Sequence, residues 1–184
     1  MDSLGIYKRA NSLVRQYQTR DPETIALNQG ISIFPMKSKT LLGMYTYRWK
    51  HRMIFLKSDM NEFDRRMVVA HELGHDSEHR DIAKASKDGL REFVLFKLNN
   101  NTEYEANAFA SHILLDDEEV LSYAHDGCSV VQISQIMGVN ANLLLIKLQE
   151  MSRMGYDIRL TDTPDSRFLK KVGERGQYSE EGCV

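Results

Sequence analysis

The stretch MVVAHELGHDSEH, Met67–His79, constrains the fold more than any other part of the chain. Phe63, Met67, Val68, Ala70 and Leu73 fall at helical spacing, so the sequence predicts a long helix with a core-facing seam. Ser58 or Asp59 is the expected cap at its start. Histidines then recur at every fourth position, His71, His75 and His79. On an α-helix a step of four rises about 6 Å and returns to nearly the same face. Gly74 stands inside this helix, where it costs up to about 1 kcal/mol relative to alanine but allows another backbone to come close. A helix that only fills space has little reason to keep it.

His71, Glu72 and His75 form H-E-x-x-H. Two imidazoles on one face can grip one metal ion, and zinc suits imidazole and carboxylate ligands. Glu72 lies beside them and can take a proton from water activated at such an ion, so it is the expected catalytic base. The bland alternative, polar residues on a solvated helix face, leaves Gly74 unexplained. His79 lies about 12 Å along the axis from His71, too far for one ion to take both easily. It is therefore expected to be a solvated helix-end residue, where a cation also suits the helix dipole.

A catalytic zinc needs a third protein ligand. An H-E-x-x-H-x-x-G-x-x-H pattern would draw it from the same segment, but Glu78 stands at the glycine position and Asp81 at the last one. The search therefore moves to a later helix, TEYEANAFASHILL. Glu103 and Asn107 are four residues apart and share a face, which offers a ligand and a neighbouring amide to orient an imidazole N–H. Glu105 has another reading, because Thr102-x-x-Glu105 is a capping box. Glu103 is the preferred ligand, Glu105 and then Asp81 the alternatives. Tyr104, His112, Tyr123 and His125 are donor types that could serve an oxyanion.

The remaining chain supports an α+β fold. Leu4–Gln18 puts Tyr7, Ala10, Val14 and Tyr17 on one helical face, and Asp21-Pro22 starts a short second helix that Gly30 can end. ISIFPM, LLGMYTYR and RMIFLK read as three strands of a small antiparallel sheet, with a turn at Trp49–His51. After the second long helix, DDEEVLSYA opens a third. Residues 129–156 then read as helix, turn, helix with Gly138 at the break, and 157–184 as a polar tail. Residues 1–156 are expected to form one domain.

Composition narrows the function classes. A net charge of −2 argues against direct nucleic-acid binding, and the second helix of the hairpin offers leucine where a DNA-reading helix needs polar side chains. A helical hairpin packed beside the core is the simpler reading, with a protein-docking surface as the alternative. No apolar run is long enough to span a membrane, and MDSLGIYKRANSLV lacks the apolar core of a signal peptide. The two cysteines, Cys128 and Cys183, suit free thiols in a reducing cytoplasm better than a disulfide framework.

VVAHELGHDSEH, followed about thirty residues later by EYEANAFASHILL, resembles the ImmA/IrrE family of metallo-endopeptidases over roughly 31–120. The resemblance implies a minimal zincin-like fold, a small sheet packed on the metal helix with a helical C-terminal part. The first glutamate of the family's E-x-E-A-N motif binds the metal and falls on Glu103. The family often continues into L-L-M-P, where this chain has LLDD, so Asp116 and Asp117 depart from the pattern. The resemblance also implies a bacterial, cytoplasmic, zinc-dependent protease whose substrate is a helix-turn-helix repressor. Cleavage would relieve repression of a mobile element, a phage or a stress regulon. The alternative is a non-catalytic repressor-binding regulator that keeps the metal as a structural clip.

Overall fold

A computed structural model describes residues 2–85 and 101–158. The chain opens with α1 (Ser3–Tyr17) and α2 (Pro22–Asn28). Each starts where an aspartate can accept an orphan N–H: Asp2 from Gly5, and Asp21 from Thr24 with Pro22 in the first turn, as expected. Gly30 follows α2 with φ of 75°, a left-handed conformation that glycine adopts without strain.

Three strands follow: β1 (Ser32–Met36), β2 (Gly43–Arg48) and β3 (His51–Lys57). β2 and β3 form an antiparallel hairpin closed by Trp49 and Lys50, both with positive φ. That is the two-residue turn whose twist matches a hairpin, built here without the usual glycine or asparagine. Trp49 projects from it, 85% exposed. The sheet order is β1-β3-β2, and β1 runs parallel to β3. The sheet is thus mixed rather than wholly antiparallel. Alternating hydrophobicity sets which face a strand buries, not which neighbour it takes. A two-residue turn forces β2 and β3 to be antiparallel, but the six-residue link 37–42 leaves β1 free to take the other side of β3.

The long helix α3 (Glu62–Glu78) is capped by Asn61, whose side chain accepts from the Asp64 N–H at 2.8 Å, and not by Ser58 or Asp59. It is buried along most of its length, between the sheet and α5 (Asn101–Leu114). α4 (Arg80–Ala85) continues almost directly from α3. Asp76 ties the back of α3 to its surroundings. It accepts from the Tyr45 hydroxyl at 2.6 Å, from Arg52 at 3.1 Å and from Arg80 at 2.6 Å. Buried polar groups of this kind hold a helix in register only when every one is satisfied.

α5 is the second spine. α1 packs on it, and so does α8 (Ala141–Arg153). Between them come α6 (Asp117–His125) and α7 (Val130–Ile136), the latter started by a full capping box of Ser129 and Gln132. Leu143, Leu144, Ile146 and Met151 of α8 are buried, so α7 and α8 form a hairpin whose second helix faces the core. The departure at LLDD has a structural role. Asp116 caps α6 and pairs with Arg20 at 2.5 Å. The same Arg20 donates to the carbonyls of His112 and Ile113 at 3.0 and 3.1 Å, which caps the end of α5. Asp117 pairs with the fully buried Lys147, whose Nζ also donates to His112 Nδ1 at 3.0 Å. Burial, then the charges of Lys147 and Arg20, push His112 down to about 2, so it stays neutral and accepts.

Cys128 packs half-buried against the core and, contrary to expectation, is not a free thiol. Cys183 and most of the expected tail lie outside the described residues. Among those residues no single helix is long and apolar enough to cross a membrane.

One contact fixes the distance between α3 and α5. A Cβ on Gly74 would sit 2.7 Å from the carbonyl oxygen of Ala106 and 2.9 Å from its Cα. Both are backbone atoms and cannot swing aside. Gly74→Ala gains up to about 1 kcal/mol of helix propensity. Forcing an extra carbon into close packing costs about 1–3 kcal/mol. The expected result is a net loss of up to about 2 kcal/mol in urea denaturation. Stability equal to wild type would mean that the two helices have slack at this point.

Candidate metal centre

His71 and His75 lie one turn apart on α3, and α5 brings Glu103 against them from its first turn. The two Nε2 atoms are 3.1 Å apart. Glu103 places Oε2 3.4 Å from His71 Nε2 and Oε1 3.5 Å from His75 Nε2. All three side chains are buried, and their donor atoms lie within 4.8 Å of one another. Ligands about 2.0–2.1 Å from a tetrahedral ion lie about 3.3 Å from each other, so this triangle has the size of a zinc-type site. Glu103 Oε1 has no hydrogen-bond partner although it is buried, an arrangement that calls for a cation.

The hydrogen bonds behind the histidines lead to the same conclusion. His71 Nδ1 lies 2.8 Å from Asn107 Oδ1. An amide oxygen only accepts, so Nδ1 carries a proton, and in the neutral ring Nε2 presents its lone pair. Asn107 thus stands where the sequence put it, one turn along α5 from Glu103. His75 Nδ1 lies 3.1 Å from His79 Nδ1, and His79 Nε2 lies 3.0 Å from Glu105 Oε2. The two Nε2 atoms face each other and the Glu103 carboxylate, an array that suits a shared cation. Burial, above all, holds His75 well below its ordinary value, in the neutral form a ligand needs.

His79 is the main correction. It is 3% exposed, not solvated, because the chain turns from α3 straight into α4 and α5 covers that end. Glu105 lies against His79 and outside the His71–His75–Glu103 group, and Asp81 is paired with Lys84. Of the oxyanion candidates, the Tyr104 hydroxyl donates to Glu150 at 2.7 Å, and His112 belongs to the Lys147 cluster. Tyr123 and His125 stand on α6, which packs beside α7.

Glu72 is buried beside the triangle, with the backbone of Tyr45 on β2 near its carboxylate. Sequence reasoning missed the residue that makes room for it. A Cβ on Gly43 would lie 2.4 Å from Val68 Cγ1 and 2.8 Å from Glu72 Oε1. A glycine starting a strand usually signals a turn, so nothing local marked it as a neighbour of the site. A separate cavity of about 500 Å3 opens elsewhere on α3, lined by Leu13, Asp76, Ser77 and Arg80 among others. None of the four site residues lines it, and its cations Arg9, Arg80 and Lys84 are already paired with Glu78, Asp76 and Asp81.

Three donors leave one position of a tetrahedral ion open, the pattern of catalytic rather than structural zinc. Burial is the main cause that pushes the Glu72 carboxyl of the metal-free chain from 4.5 up to about 7. The folded value is the higher one, so neutral Glu72 contributes stability that is complete below about 4.5 and is lost as the pH rises through 7. Glu72→Gln cannot ionise. The metal-free variant should therefore exceed wild type by roughly 3 kcal/mol at pH 8, with the gap mostly closed near pH 5. A gap that did not change with pH would assign the effect to another group.

The family model for the IrrE N-terminal-like domain, a metallopeptidase family, matches residues 26–149. A protein of Bacillus phage phi105, "Uncharacterized immunity region protein 2", is 31% identical over 136 residues, which cover 73% of this chain and 84% of the phage protein. The matched span contains both halves of the site, His71-Glu72-His75 on α3 and Glu103 on α5, and the chain belongs to the IrrE N-terminal-like family of metallopeptidases.

Proposed function

We propose that this protein is a zinc-dependent endopeptidase of the cytoplasm that cleaves a helix-turn-helix transcriptional repressor. Cleavage would relieve repression of a mobile element, a phage or a stress regulon. The observation that carries the reading is the buried His71–His75–Glu103 triangle with Glu72 fixed beside it. The name of the phage relative, an immunity region protein, supports a regulatory substrate over a digestive one.

His71, His75 and Glu103 would hold the zinc. When bound, zinc supplies Lewis acidity that polarises the scissile carbonyl and acidifies water. Glu72 then acts as general base toward the attacking water and returns the proton to the leaving amine. Asn107 holds the His71 ring through Nδ1, so Nε2 stays aimed at the ion. A non-catalytic clip would need neither Glu72 nor an open coordination position.

Incubation with a helix-turn-helix repressor from the same genetic element, read by mass spectrometry, tests the proposal. Wild type should cut the repressor, and a chelator should stop it. Glu72→Gln should retain zinc but lose about 10²–10⁴-fold in rate. Cleavage by that variant at the wild-type rate would remove Glu72 from the mechanism. Tight binding of an intact repressor by the zinc-loaded wild type would favour the clip.

A further inference from the structure

The geometry points to His79 and Glu105 as positioning residues for the ligand His75, a role that rests on the metal-binding reading above. The three groups form one line. His75 Nδ1 is 3.1 Å from His79 Nδ1, and His79 Nε2 is 3.0 Å from Glu105 Oε2. Proton counting gives the line a direction. Each neutral imidazole has one N–H, and Glu105 only accepts. His79 must therefore donate from Nε2 to Glu105, which leaves its Nδ1 bare to accept from His75 Nδ1–H. That fixes the tautomer of His75 and leaves its Nε2 lone pair for the metal.

The two ligand histidines are thus supported differently. His71 rests on a neutral amide, Asn107. His75 rests on an imidazole backed by a carboxylate, a stronger acceptor that increases the basicity of the ligand nitrogen. The elements that build the line are the ones that build the site. His79 ends the helix that carries both histidine ligands. Glu105 is two residues from Glu103, so the turn of α5 that supplies the third ligand also supports the second. A histidine that merely filled space here would not need both of its nitrogens engaged at 3% exposure.

Two variants separate positioning from packing. His79→Gln keeps an acceptor within reach of His75, whereas His79→Leu fills similar space without one. Zinc affinity of the purified full chain is measured by competition with a chromophoric chelator, and the Co2+ absorption spectrum reports ligand geometry. His79→Leu should bind zinc about 10–100-fold more weakly and shift the Co2+ bands. His79→Gln should stay within a few-fold of wild type, and Glu105→Gln should fall between the two. Melting of the metal-free forms shows that the variants are folded. Wild-type affinity in His79→Leu, or equal losses in the Leu and Gln variants, would overturn the positioning role and leave the metal site standing. A wild-type chain that took up no metal would overturn the site and the positioning role together.

Discussion

The approach of α3 to α5 at Gly74 and Ala106 is the constraint from which the rest of the site follows. Without a side chain at Gly74, the first turn of α5 comes near enough for Glu103 to reach between His71 and His75. The same spacing lets Asn107 meet His71 and lets Glu105 meet His79. Four polar contacts between the helices thus depend on one missing methyl group. Any widening of that gap lengthens all of them together, because they share two rigid helices.

Polar groups are concentrated on both sides of α5. On the α3 side, buried histidines and carboxylates leave charge to be balanced by an ion. On the other side, His112, Lys147 and Asp117 form a cluster that balances itself with an internal cation. The contrast explains why only one of the two is a candidate centre. Buried charge that is already paired has no further demand for a ligand, whereas the Glu103 carboxylate faces two imidazole nitrogens and, among the described residues, no lysine or arginine. The acidic pair at 116–117, which departs from the related pattern, serves helix capping and this second cluster, well integrated with Arg20 and Lys147.

What was legible in the sequence was periodic or chemically specific. Helical spacing placed His71 and His75 on one face, and a step of four from Glu103 found Asn107. What was not legible depended on which segment covers which. His79 looked solvated because a helix end normally faces water, and no pattern announces that α4 and α5 close over it. Ser58, Asp59 and Asn61 can all cap a helix, and the choice fell to the one at which α3 begins to pack. β1 could pair with either strand of the hairpin, since its apolar alternation is the same in both cases. Gly43 carried no local mark of its neighbour Glu72, which lies 29 positions further along the chain.

The Arg20 clamp bears on where this domain begins. The family match starts at residue 26, yet α1 packs along α5, and Arg20, from the link between α1 and α2, closes the end of α5 by binding its last carbonyls. The helix that supplies Glu103 is thus held at its far end by residues upstream of the matched span. The folding unit is larger than the span the family model matches, and a fragment cut at that boundary would keep every candidate ligand while losing the strut that holds one of them in place.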